Sequence, residues 1–91
     1  MMFLHIGEGK ILNKKDIVGI FDLETTSISK KTREFLRINE KQGNVEYIGT
    51  EIPKTYIISS KKQKKKVYIT QISSQTLHKR AERIDGFGTE N

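Results

Sequence analysis

Lysine fills five of the six positions from 61 to 66, at Lys61, Lys62, Lys64, Lys65 and Lys66, with Gln63 between them. Ammonium groups at this density repel one another and stay hydrated, so the segment cannot be core. Their chemistry is electrostatic: neutralising phosphates or another run of closely spaced anions. The surrounding third of the chain carries the same sign. Residues 54–83 hold nine basic side chains (those five with Lys54, Lys79, Arg80 and Arg83) against the acid Glu82, a net of +8, whereas residues 1–53 hold eight of each sign. With Asp85 and Glu90 beyond, the whole chain is +6. Such asymmetry points to a polyanionic partner, nucleic acid first and an anionic membrane surface second. A solubilising face is the plainer alternative.

Other groupings of reactive residues are weaker. Gly7-Glu8-Gly9-Lys10 has the glycines and lysine of a phosphate loop but not its spacing, and Ile11 stands where the hydroxyl residue should be, so it reads as a turn. Asp22 and Glu24 share one face of a strand, yet no nucleophile accompanies them, and a salt bridge is their expected use. His5 and His78 lie far apart in sequence without a carboxylate partner. No catalytic residue, metal site or cofactor is therefore assigned, and an enzyme is not expected. The absence of cysteine excludes a disulfide framework and thiolate ligation, and suits a reducing cytoplasm. Ninety-one residues make one domain, and an apolar fraction of 34% gives it a thin core. The opening Met-Met-Phe-Leu-His-Ile is too short for a signal peptide, and no run approaches the roughly twenty apolar residues of a membrane span. The expectation is a soluble cytoplasmic protein with no membrane partner.

Several elements must position the lysines. Thr55–Ser59 and Val67–Gln71 are rich in β-branched and aromatic residues, which suit a pleated surface. With the polar run 60–66 between them they read as a hairpin with a longer loop than the tight two-residue kind. Pro53 cannot donate to a ladder, which sets the start near Lys54. Upstream, Met2–Ile6 and Lys10–Asn13 pair around Gly7-Glu8-Gly9. Asp16–Glu24 carries Ile17, Gly19, Phe21 and Leu23 on one face and Val18 and Ile20 on the other, the pattern of a central strand covered from both sides. Ile28, Thr32, Phe35, Leu36 and Asn39 recur at helical spacing behind a cap at Ser27 or Ser29, and the helix runs to about Lys41 and stops at Gly43. Val45–Ile48 is a short strand. Ser73 or Ser74 caps a last helix with Leu77, Ala81 and Ile84 in its stripe, placing the domain at residues 1–84 and a loose glycine-rich tail at 85–91.

Phe3-Leu4-His5-Ile6-Gly7, Lys14-Lys15-Asp16-Ile17-Val18-Gly19-Ile20-Phe21-Asp22 and Ser74-Gln75-Thr76-Leu77-His78-Lys79-Arg80 together resemble the extracellular matrix regulatory proteins of spore-forming bacteria, the RemA/RemB family, with the B-type pattern the nearer one. The resemblance spans roughly residues 2–83. It implies a small cytoplasmic regulator tied to activation of biofilm matrix genes. It also implies, from the A-type sibling, a LytTR-like fold closed into rings that bind DNA around the outside. The A-type pattern has two adjacent DNA-contacting arginines where this chain has Glu51 and Ile52; Lys54 keeps a basic residue two positions on. The loop lysines would then supply the phosphate contacts, which position a protein on DNA, while no hairpin arginine offers the fork that reads guanine.

The sequence thus predicts an α+β domain, a mostly antiparallel sheet with two helices, assembling as a homo-oligomer. Its expected role is DNA-binding transcriptional regulation through Lys54, Lys61, Lys62, Lys64, Lys65 and Lys66, with Lys79, Arg80 and Arg83 as a second group. The alternative is an interaction module that modulates a DNA-binding sibling through mixed assembly without binding DNA itself.

Overall fold

The structure, a computed structural model, describes residues 3–24 and 29–87, with 83–87 as backbone. Strands β1 (Phe3–Gly7) and β2 (Lys10–Asn13) form an antiparallel hairpin, and a 3-10 turn at Lys14–Asp16 leads into β3 (Ile17–Asp22). Helix α1 (Lys30–Lys41), β4 (Val45–Ile48), β5 (Thr55–Lys61), β6 (Lys64–Thr70) and α2 (Ser74–Phe87) follow. The main sheet has the order β3-β5-β6-β4, antiparallel except for the parallel β4–β6 pair. This is the expected α+β class with two helices.

Strand alternation divides the core into two. One face of the sheet presents Ile57, Tyr68 and Ile48, which pack with Leu4, Ile6 and Leu12 of the first hairpin and with Leu77 of α2. The opposite face presents Tyr56, Val67 and Ile69, covered by Phe35 and Leu36 of α1. Phe35 meets Tyr56 at a ring separation of 6.4 Å. The layers are thus α1, the sheet, and the β1–β2 hairpin with α2. The helices start as their sequences dictate: Ser29 accepts from the Thr32 amide at 3.1 Å and Ser73 from the Thr76 amide at 3.2 Å, satisfying amides that have no partner inside the helix.

The first hairpin is docked by a register break. Leu4 pairs with Leu12 and His5 with Ile11, but the next pair is Gly7 with Lys10, so Ile6 is left over. Its carbonyl accepts a hydrogen bond from the buried Thr70 hydroxyl at 2.6 Å, joining β1 to the end of β6. Gly7 makes the approach possible: its φ is +116°, and a Cβ there would lie 3.3 Å from the Ile48 side chain.

Two expectations are corrected. Asp16–Glu24 does not form a central strand: β3 is an edge strand of the sheet. A bulge between Ile17 and Gly19 breaks the strict alternation, so Ile17 and Ile20 both reach the α2-side core, while Phe21 stacks on Tyr56 at 4.9 Å on the other face and Val18 is left 64% exposed. The ring of Phe21 lies over Gly19, where a Cβ would come within 2.5 Å of it. The lysine hairpin has no long loop: β5 and β6 pair as far as Lys61 with Lys64, around a two-residue turn of Lys62 (φ +51°) and Gln63 (φ +66°). Pairing this far satisfies backbone groups that a loop would leave to water, at the cost of two left-handed non-glycine residues. Helix α2 runs to Phe87 across its glycine at position 86. Residues 88–91, like Ser27 and Ile28, lie outside the described residues.

A basic cleft at the tip of the second hairpin

Because the β5–β6 ladder extends to its tip, the lysines are held on a rigid ribbon with alternating directions. Register puts Lys61, Lys64 and Lys66 on the face that also carries Tyr68 and Ile57, and Lys65 on the face of Val67. On the first of these faces the β1–β2 hairpin stands opposite the ribbon. Between them is an open cleft of about 800 Å³ lined by Lys61, Lys62, Lys64, Lys65 and Lys66 on one side and by Lys10, Ile11 and Asn13 on the other, with Tyr68 and Asp16 also lining it.

The cleft is not uniformly charged. Glu46 of β4 is the register partner of Tyr68, which makes Lys66, two residues earlier on the same face, its diagonal neighbour. Lys66 Nζ lies 3.0 Å from Glu46 Oε1, and Lys10 Nζ lies 3.8 Å from the same oxygen. Both ammonium groups sit over the Tyr68 ring, 5.5 Å and 5.2 Å from its centroid. The hydrogen bond from Lys66, followed by the charge of Lys10, holds the Glu46 carboxyl below its usual range despite some burial, and the same bond holds Lys66 above its own. Among the described residues no carboxylate lies within ion-pairing distance of Lys61, Lys62, Lys64 or Lys65. Four lysines at the tip thus have no ion-pair partner among the described residues, and Lys66 is partly neutralised.

The other predicted residues are not brought to this cleft. Lys54 is exposed at the base of β5, about 23 Å from Lys61 at the rise of an extended strand. Lys79 is exposed on α2. Arg80 has a structural contact, donating to the His5 carbonyl at 3.2 Å and tying α2 to β1. The Arg83 side chain lies outside the described residues. Glu51 and Ile52 are exposed in the connector before β5, with the Glu51 amide held by the Gln71 side chain at 2.9 Å. His5 and His78 are both exposed, and no cluster of three or more metal-ligating side chains occurs among the described residues. No helix among them is long and apolar enough to cross a membrane.

Sequence reasoning missed Lys10, Glu46 and Tyr68 as members of the site. Nothing in their spacing announces it, since 56 positions separate Lys10 from Lys66. The parallel β4–β6 register brings in Glu46, and the docking of Ile6 on Thr70 brings in Lys10.

No family model matches the sequence. The chain is similar to extracellular matrix regulatory protein B of Bacillus subtilis (strain 168), with 32% identity over 81 residues that cover 89% of this chain and 91% of that protein. At that identity and coverage, the chain belongs to the extracellular matrix regulatory protein family.

Proposed function

We propose that the protein regulates extracellular matrix genes by binding DNA, with the tip of the β5–β6 hairpin contacting the phosphate backbone. The observation that carries this reading is the group of four lysines, Lys61, Lys64 and Lys65 on a paired ribbon and Lys62 in its turn, with no carboxylate within ion-pairing distance of them among the described residues. A solubilising face needs charge but no rigid presentation; here the ladder runs to the last lysine pair and fixes their spacing. Lysines provide affinity and orientation, not base readout, so sequence choice is assigned to another part of the assembly or to DNA shape. The relative's name supports matrix regulation as the biological role.

The reading includes assembly into a homo-oligomer, with a LytTR-like ring as its form. Supporting it, β3 is an edge strand whose Val18 is 64% exposed and whose Phe21 is 40% exposed, near the family's connector where Ile52 is 80% exposed. A cytoplasmic location follows from the proposed role. The second reading is an interaction module that modulates a DNA-binding sibling, and the observation favouring it is the exposed Glu51-Ile52 pair where the A-type pattern has arginines. Binding of the purified protein to duplex DNA at low salt separates the two. Tight, salt-sensitive binding supports direct contact, and no binding leaves the interaction module.

A further inference from the structure

One carboxylate oxygen, Glu46 Oε1, bridges two ammonium groups contributed by different hairpins, Lys66 at 3.0 Å and Lys10 at 3.8 Å. The like charges of the lysines are tolerated this close because the carboxylate lies between them and the π face of Tyr68 lies beneath both. An oxyanion held by two ammonium groups is also an arrangement that suits a non-bridging phosphate oxygen. All of these residues but Glu46 line the basic cleft. We infer that Lys10 and Lys66, over Tyr68, form a phosphodiester seat that Glu46 fills until a nucleic-acid backbone displaces it. This rests on the DNA-binding reading above, and it adds Lys10 to the binding surface and gives Glu46 the role of an internal competitor.

The exchange is balanced in charge. One carboxylate leaves the two lysines and one phosphodiester takes its place, so the cost is the loss of the internal pair. The Glu46 and Lys66 side chains are 36% and 44% exposed. Pairs this exposed shift an equilibrium by only about one-and-a-half- to fivefold. A polyanion already held by Lys61, Lys62, Lys64 and Lys65 competes as an intramolecular partner, at high effective concentration. Glu46 thus weakens binding of isolated anions more than binding of an extended backbone.

The test is a titration of a short labelled duplex by anisotropy with the unaltered protein, Glu46→Gln, Lys10→Gln and the double variant. Glu82→Gln is the control, making the same change in net charge on α2 outside the cleft. The expected result is binding by Glu46→Gln about two- to fivefold tighter than by the unaltered protein, a smaller effect of Glu82→Gln, and loss of the Glu46→Gln gain when Lys10 is also replaced. Glu46→Gln binding no tighter than Glu82→Gln, or a gain indifferent to Lys10, overturns the proposal. A second arm uses Glu46→Gln, in which the internal competitor is gone, with pyrophosphate, followed by amide chemical shifts. Changes centred on residues 10, 66 and 68 support the seat, and their absence removes it. If Glu46→Gln binds pyrophosphate there but neither protein binds duplex, the DNA reading fails while the seat stands.

Discussion

Replacing Thr70 with Val tests how the cleft is built. The Thr70 side chain is 1% exposed and its hydroxyl does two things: it donates to the Ile6 carbonyl at 2.6 Å and accepts from the Ile72 amide at 3.2 Å. Ile6 has no partner in the β1–β2 ladder because the register breaks there, so Val leaves a buried carbonyl unsatisfied in a site of almost unchanged shape. A buried unsatisfied group costs about 1–3 kcal/mol, and for a domain of this size each kcal/mol moves Tm by about 4–8 °C. Taking about 2 kcal/mol, thermal denaturation at fixed protein concentration should shift down by roughly 10 °C, while the exposed control Thr50→Val stays within about 0.5 kcal/mol of the unaltered protein. The substitution also loosens the dock that holds Lys10 against Tyr68, so amide exchange along β1 and β2 should speed up more than along β5. A Thr70→Val melt indistinguishable from that of the parent would refute the claim that this hydroxyl secures the first hairpin.

At the hairpin tip, Asn at position 62 with Gly at position 63 should stabilise the fold by about 1 kcal/mol, because both native residues occupy left-handed backbone conformations; a loss of stability would show that the turn differs from the one described. Glu46 has a folded-state pKa lowered below its ordinary 4.5, so its contribution is present above that value and is lost as pH falls through the lowered one. The stability difference between the parent and Glu46→Gln should accordingly shrink as pH is taken below 4.5, and a difference that is constant down to pH 3 contradicts the ion pair. Light scattering should give a mass several times 10.5 kDa, and Val18→Lys on the exposed edge strand should lower it; a monodisperse parent monomer rules out the ring.

What could be read from the sequence was whatever a local rule controls. Strand composition located β1, β2, β4 and the hairpin, and serines marked each helix start to within two candidates, of which the structure uses Ser29 and Ser73. The tight turn was hidden because Lys62 and Gln63 are not residues that favour positive φ; ladder pairing imposed it on them. The edge position of β3 was hidden by its bulge, which lets Ile17 and Ile20 face the same core although an alternating strand would separate them. For the site, the charge run gave the tip lysines directly. Lys10, Glu46 and Tyr68 meet only through tertiary pairings, a parallel strand and a docked bulge, that leave no periodic trace. Arg80, a basic residue counted toward a binding surface, also hydrogen-bonds the His5 carbonyl, a contact that its spacing in the sequence does not announce.

The most direct test of the account is the salt dependence of duplex DNA binding by the unaltered protein beside a variant with Lys61, Lys62, Lys64, Lys65 and Lys66 all replaced by Gln. The four tip lysines of each contacting subunit predict a log–log slope of about −3.6, or roughly a hundredfold loss of affinity between 50 and 200 mM salt, and the variant should bind weakly with a nearly flat slope. Equal affinity and equal slope for the two proteins would contradict the claim that the tip of this hairpin is where the protein meets DNA.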